Sequence, residues 1–257
     1  MQSDPEAAGR PLGIPDNRIF AWCALAYVAA ALGIDTLAFY EVEFVIDWGM
    51  FKWMGKDVIN LIHQGGAPFE PAARALEHTT FHSFDVFKFL AWFLIPFLMC
   101  LPWMDWRAWG WARWKRSDWY LLGALLFVAV AVVFSIPFLP GIRHYYRPVD
   151  LPLKDKFVAI VVYATWTISW LPGWEFLHRY LLLRSLQRLE IKYDWLIVPF
   201  VEALYHLPKQ ILETAGMFLY GFLATRWTKA RGSWLLPLLF HLSIELSLAV
   251  FMVGLFS

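Results

Sequence analysis

Residues 171–186 read LPGWEFLHRYLLLRSL, residues 200–213 read FVEALYHLPKQILE, and residues 232–246 read GSWLLPLLFHLSIEL. Glutamate, histidine and arginine lie inside these runs of leucine, phenylalanine and tryptophan. Each ionisable group in hydrocarbon costs about 2.5–3.5 kcal/mol on insertion scales. Several such groups at helical spacing, on three successive segments, predict a polar site inside a bundle of membrane helices.

The composition of the 257-residue chain is typical of a polytopic membrane protein, so a lipid bilayer is the first expected partner. The chain is 60% hydrophobic, with 16 Trp and 22 Phe, and its mean hydropathy is +0.50. The net charge of +1 gives no reason to expect a nucleic acid as a partner. Two cysteines do not make a disulfide framework or a metal cage. The sequence contains no Gly-rich phosphate loop and no HExxH motif.

A spanning helix needs about 20 apolar residues, and this rule predicts about seven spans. They are placed at residues 19–40, 84–103, 119–139, 157–183, 195–207, 211–227 and 234–256. The fifth and sixth are short, so they would cross only partly and line a protein or water-filled interior. With no internal repeat and no domain boundary, we expect one all-α integral-membrane domain over residues 1–257, a transmembrane helical bundle.

Lysine and arginine cluster in three loops, at residues 105–118, 184–194 and 224–232. Counting spans places these loops and the N-terminus on one side, which the positive-inside rule assigns to the cytoplasm. The opposite loop, at residues 143–156, is also basic, so the bias is moderate. The N-terminus lacks the features of a signal peptide, so we expect the first span to be retained. These patterns favour a protein of a bacterial inner membrane with a cytoplasmic N-terminus.

Three ionisable residues share one depth in this topology. Glu175 lies eight residues before the cytoplasmic end of its span, His206 eleven after the start of the next, and His241 seven after the start of the last. At 1.5 Å per residue, all three lie roughly 10–17 Å from the same face. We therefore predict that three helices converge on one water-filled pocket.

Glu175 and Arg179 have the i, i+4 spacing of one helix face. An ion pair alone would make both residues tolerable in lipid. In the functional interpretation, Glu175 polarises a water or substrate group and Arg179 fixes its charge and orientation.

A second polar series, at i, i+4, i+7 and i+11, comprises Glu202, His206, Lys209 and Glu213. It forms one helical stripe if the helix continues through Pro208 with a kink. The simple interpretation is the lining of a water-filled cavity. In the functional one, His206 carries a proton near neutral pH and a carboxylate one turn away orients it.

His241 and Glu245 repeat the i, i+4 spacing in the last segment. A lone histidine on an apolar face is usually a core residue whose hydrogen bonds are satisfied. Here the neighbouring glutamate and the shared depth favour a role in which His241 donates to an oxyanion.

His78 and His82 also have metal-ligand spacing. Two histidines alone favour an interfacial helix over a metal site.

Taken together, the three segments resemble the CPBP family, the CAAX-protease and bacteriocin-processing group of intramembrane endopeptidases. The signature of that family is EExxxR, then FxxxH, then HxxxN or HxxxD, each on its own helix. The matching stretches are WEFLHR at 174–179, EALYH at 202–206 and HLSIE at 241–245, within a region of residues 157–250. The departures are Trp174 for the leading glutamate, Glu202 for the aromatic residue, and Glu245 for the last polar residue.

The resemblance implies hydrolysis of a peptide bond in a membrane-associated or C-terminally processed protein substrate, with no cofactor and no catalytic metal. Glu175, assisted by His206, would activate water, His241 would stabilise the oxyanion, and Arg179 would hold Glu175. Because Trp174 takes the leading position, three more carboxylates are candidates for the site: Glu202, Glu213 and Glu245.

Two other functions stay open at this point. Trp174 favours a non-catalytic relative that binds membrane peptides or assists the maturation of another protein. Acid and histidine chains inside membranes also relay protons, which would suit a small proton-coupled transporter. The sequence lacks the internal repeat that many transporters have. It makes no prediction of the oligomeric state.

Overall fold

A computed structural model of the chain describes residues 13–39, 85–139, 146, 152–207, 209 and 211–252. The described residues form helices and no strands, which confirms the all-α prediction for them. The helical rods are α1 Arg18–Phe39, α2 Val86–Trp103, α3 Arg116–Phe134, α4 in three consecutive segments (Leu153–Glu175, Phe176–Leu182 and Leu183–Arg188), α5 Asp194–Tyr205, α6 Ile211–Arg231 and α7 Leu235–Met252. The segment with His78 and His82 lies outside the described residues.

Four helices of the described part are long and apolar enough to cross a membrane: Arg18–Leu37, Val86–Trp103, Arg116–Phe134 and Leu235–Met252. Large apolar side chains on these helices point outward. Ile19 on α1 is 72% exposed and Phe127 on α3 is 75% exposed. Exposed apolar surface on this scale is typical of membrane-facing helices. The described residues thus form an all-helical fold with four candidate membrane spans, while insertion in a membrane and the full count of seven spans stay predictions.

The fifth helix is short, as predicted, and the sixth is not. Helix α5 has 12 residues and a length of about 18 Å, well under the hydrocarbon thickness of about 30 Å. Helix α6 has 21 residues and a length of about 31 Å, so the prediction of a short sixth helix is wrong. It continues to Arg231 because that guanidinium binds the buried carboxylate of Asp118 at 2.7 and 3.1 Å.

The chain divides into two compact units, and the boundaries between them fall inside α2, α3, α4 and α7. The first unit contains the described residues within 1–42, 91–122 and 173–239. The second contains those within 43–90, 123–172 and 240–257. A small apolar core of the second unit comprises Val133, Ile136 and Leu248, with Tyr146, Ile244, Phe251 and Met252 packed against it.

In the first unit, α2 and α4 approach closely at Gly173. A Cβ atom on Gly173 would lie 2.9 Å from the Cβ of Trp92 and 3.0 Å from its carbonyl carbon. Only glycine fits this contact without movement of a backbone. Trp92 is 1% exposed and lies in a π-helical stretch of α2, Phe89–Leu94. The close approach brings an aromatic wall against the part of α4 that carries Glu175.

The three basic loops and the N-terminal stretch meet at one end of the first unit. Tyr180 donates to the carbonyl of Gly13 at 2.9 Å. Four further contacts join the loops: Arg188 to Asp16, Lys229 to Asp194 at 2.8 Å, Arg231 to Asp118 at 2.7 Å, and Arg113 to the carbonyl of Gly232 at 3.0 Å. The predicted proximity of these loops and the N-terminal stretch is therefore present, and their location on the cytoplasmic side of a membrane stays a prediction.

Candidate functional site

The polar cluster of the first unit begins where α4 changes from α-helical to π-helical geometry. The α-helical part ends at Glu175, and the π-helical segment Phe176–Leu182 is buried along its whole length. Pro172 lies inside the helix just before this change and supplies no N–H to the hydrogen-bond ladder. Single π turns inside α-helices occur frequently at functional sites. The residues at this transition are therefore candidates for a functional site.

Arg179 contacts two carboxylates at this position. Its Nη1 lies 2.8 Å from Oε1 of Glu202 and its Nη2 donates to Oε2 at 3.0 Å, a bidentate arrangement. Its Nε lies 3.6 Å from Oε2 of Glu175. None of the three side chains has exposed surface. The predicted contact between Glu175 and Arg179 is present, but Glu202 on α5 is the closer partner of the arginine.

Tyr220 on α6 belongs to the same cluster. Its phenol oxygen lies 2.6 Å from Oε1 of Glu175 and 3.0 Å from the carbonyl oxygen of Pro237 on α7. Its ring lies 5.5 Å from the Cζ atom of Arg179, within the range of a cation–π contact. Tyr220 was not predicted as a site residue, because it lies in the apolar run MFLYGFL with no ionisable residue one turn away.

Gly221, the next residue, allows α6 to pack against α5 at the level of the ion pair. A Cβ atom on Gly221 would overlap the carboxylate of Glu202 and lie 3.0 Å from the Cα of Pro199. A larger residue would therefore push Glu202 away from Arg179. The glycine is part of the packing that positions the cluster.

His206 lies directly after the end of α5 and is 7% exposed. Its Nδ1 is 2.8 Å from the backbone carbonyl of Glu202. A carbonyl only accepts, so Nδ1 carries the hydrogen and Nε2 holds the lone pair of the neutral ring. The backbone carbonyl of Glu202 thus contacts the ring of His206, while the carboxylate of Glu202 binds Arg179. That a carboxylate one turn away orients His206 stays a prediction.

The predicted stripe from Glu202 to Glu213 is not one helical face. Helix α5 ends at Tyr205 and α6 begins at Ile211, while Pro208 lies outside the described residues. Glu213 pairs with Lys209 at 2.7 Å, with side chains 18% and 34% exposed. Because the helix is interrupted after Tyr205, Lys209 and Glu213 do not continue the helical face that carries Glu202. The stripe prediction is therefore wrong.

Trp174 occupies the space beside His206. It is 1% exposed, and its ring packs 4.1 Å from the ring of His178 and 5.4 Å, edge to face, from that of His206. The ring of Tyr205 lies 5.0 Å away, and its hydroxyl donates to Asp35 on α1. His206 therefore has an aromatic wall on the side where α4 passes.

The second unit holds its own polar cluster. Nε2 of His241 lies 3.9 Å from Oε1 of Glu245, and Tyr163 donates to Oε2 of the same carboxylate at 2.7 Å. The ring of Trp170 lies 5.9 Å from that of His241. The side chains of His241 and Glu245 are 7% and 15% exposed. The predicted contact between the two residues is present, and Tyr163 was not foreseen.

Within the described ranges, no three His, Cys, Asp or Glu side chains come together in a way that could hold a metal ion. No protein-family model matches the chain, and no curated protein and no solved structure matches it either. The inference of function therefore depends on the residues and their geometry.

Proposed function

We propose that the chain is an intramembrane endopeptidase of the CPBP type, acting on a peptide bond of a membrane-associated or C-terminally processed protein. The observation that carries the proposal is the fully buried cluster of Glu175, Arg179 and Glu202, with His206 on the same unit. Apolar residues in place of a buried ionic triad are often as stable or more stable. Stability alone therefore does not explain why this position holds three buried ionisable residues. Ionisable groups in such unusual surroundings cluster at functional sites, which favours a functional role.

In the proposed reaction, Glu175 and His206 are the acid–base groups, and both are buried away from bulk solvent. The lone pair on Nε2 suits His206 for taking a proton from water. Arg179, clamped by Glu202, fixes the electrostatic environment of Glu175. Donation to the oxyanion by His241, a large contribution in acyl transfer, remains the sequence-based expectation.

Trp174 favours a second candidate, a non-catalytic relative that binds membrane peptides or assists protein maturation. Its buried ring packs against His206, and it stands at the position where the CPBP signature has its leading glutamate. A protein of this kind would bind a membrane peptide and leave its bonds intact.

A cleavage assay on the purified full chain in lipid nanodiscs separates the two candidates. The substrates are a library of membrane-anchored peptides, and mass spectrometry detects the products. We expect Glu175→Gln and His206→Ala each to lower the cleavage rate by about 100-fold or more, since a general acid or base contributes about 10²–10⁴-fold. Glu190→Gln is the control, because Glu190 is an exposed carboxylate on the same unit.

The outcomes of this assay are distinct. Unchanged cleavage in Glu175→Gln or His206→Ala would remove that residue from the mechanism. Retention of a peptide by the wild type without any cleavage would establish the non-catalytic candidate in place of the protease.

A further inference from the structure

An exposed group of tryptophan, tyrosine and basic side chains lies where α3 begins. It comprises Trp111, Lys115, Arg116, Trp119 and Tyr120, and we call it the aromatic–basic face. Trp111 is 65% exposed and Tyr120 is 66% exposed. The rings of Trp111 and Trp119 lie 6.2 Å apart, so the two exposed indoles are neighbours. The face therefore presents apolar ring surface and two cations together.

The aromatic–basic face is attached from behind to the interior of the first unit. The ring of Trp114 lies 4.8 Å from that of Trp119. It also lies 5.7 Å, edge to face, from the ring of Trp227, a buried residue of α6. The position of Trp119 is therefore set by packing against the unit.

The two acidic residues near the face are already paired within the protein. Asp118 is buried and accepts from Arg231 at 2.7 and 3.1 Å. Asp105, in the loop before the face, forms an ion pair with Arg113 at 2.9 Å. Because these carboxylates are compensated by other residues, the two cations of the aromatic–basic face give this surface a positive charge.

Arg116 is oriented by a tyrosine and not by an acid. Its Nε donates to the hydroxyl of Tyr120 at 3.2 Å, and its Cζ lies 5.8 Å from the centre of that ring. Within the described part of the chain, Lys115 and Arg116 form no ion pair, and the Nη groups of Arg116 make no hydrogen bond. A guanidinium held in this way presents its fork of donors to an oxygen anion such as a phosphate.

The place of the face on α3 indicates which phosphate it meets. Residues Arg116–Phe134 form a candidate membrane span, and Leu121, directly after the face, is 39% exposed. Tryptophan and tyrosine are enriched at the headgroup level of spans, and basic residues beside a span attract anionic lipids. A nucleic acid or a free phosphate would bind the cations and leave the apolar surface uncovered. A phospholipid covers both, with its phosphate and its acyl chains.

We infer that the aromatic–basic face binds an anionic phospholipid, with the lipid phosphate at Arg116 and Lys115 and the exposed rings at the headgroup level. The face selects anionic over zwitterionic lipids, because a zwitterionic headgroup brings no net negative charge to the two cations. This inference goes beyond the proposed peptidase and does not depend on it, since it concerns a different surface of the first unit.

Native mass spectrometry of the purified full chain in a nonionic detergent tests the inference, because it counts the lipids that stay bound. The probes are phosphatidylglycerol and phosphatidylcholine with the same acyl chains. We expect the wild type to prefer phosphatidylglycerol. Lys115→Gln together with Arg116→Gln should weaken that binding by about 25-fold, since each cation near an anionic headgroup contributes about fivefold. The control is Lys192→Gln with Arg226→Gln, which removes two exposed cations of the same unit and should have a far smaller effect.

The results of this experiment decide the inference. Equal weakening in the two double variants would show a response to net charge alone and would overturn it, as would a wild type without preference for phosphatidylglycerol. Trp111→Ala, a change at an exposed ring, should also weaken the binding, and full binding in that variant would contradict the role of the rings. Retention of a single-stranded oligonucleotide in place of the lipid would assign the face to a nucleic acid and refute the lipid surface.

Discussion

The polar clusters of the two units contain similar residues in different surroundings. In the first unit, Glu175, Arg179 and Glu202 are joined without any exposed side-chain surface. In the second, Glu245 accepts from Tyr163 at 2.7 Å and is 15% exposed. Water can replace a partner of an exposed carboxylate but not of a closed ion pair. The same i, i+4 spacing of charged residues therefore leads to very different energetic consequences.

This difference in burial predicts different contributions of the two clusters to stability. A buried pair that loses one partner leaves an uncompensated charge, while a partly exposed pair contributes about 0–1 kcal/mol. We expect the stability of the fold to depend on the first cluster far more than on the second. Water can replace a lost partner in the second cluster, so a substitution there should cost less than one in the first.

The largest effect is expected for Arg179→Ala, which leaves Glu202 buried without its partner. We expect the free energy of unfolding to fall by about 3–5 kcal/mol, measured by chemical denaturation in detergent micelles. The control is Arg226→Ala, because Arg226 is exposed and contacts only the faces of Trp195 and Phe222 among the described contacts. That control should cost about 1 kcal/mol or less. Equal losses in the two variants would mean that the buried ion pair of Arg179 contributes no more than an exposed cation–π contact.

A smaller effect is expected for Gly221→Ala, since its new methyl group would meet the Glu202 carboxylate and Pro199. Overpacking of this kind costs about 1–3 kcal/mol. Gly216→Ala lies on the same helix with nothing within 4 Å. It should stabilise the protein by about 0.5–1 kcal/mol, because alanine is the better helix former. Thermal unfolding of both variants should give shifts of opposite sign, and shifts of the same sign would contradict the packing described for Gly221.

The smallest effect is expected for Tyr163→Phe in the second unit. It removes one hydrogen bond to Glu245, and water can take the vacated position on a carboxylate that is 15% exposed. The expected loss is about 0.5–1.5 kcal/mol in the same denaturation experiment. A loss as large as that of Arg179→Ala would show that the second cluster is as closed as the first.

Much of the fold could be predicted from local patterns in the sequence. The lengths of apolar runs placed the helices, and the short run at residues 195–207 predicted the brevity of α5, which the structure has at Asp194–Tyr205. The contact of Glu175 with Arg179 followed from helical spacing, because residues four apart share a face whatever surrounds them. Boundaries were less predictable: α6 extends to Arg231 only because Asp118, distant in sequence, binds its end.

The candidate site was predictable only in part, because its decisive contacts join different helices. Arg179 and Glu202 are 23 residues apart, and Glu175 and Tyr220 are 45 apart. No spacing rule connects such residues. The orientation of His206 also depends on the point where α5 stops.

The amino-acid order settled the helical class, the long apolar stretches and the residues that carry charge, because these depend on composition and on a period of 3.6 residues. The packing of α4, α5 and α6 settled which carboxylate Arg179 binds and which hydroxyl contacts Glu175. A buried charge takes whatever partner the folded chain brings within reach, and that choice is made in three dimensions.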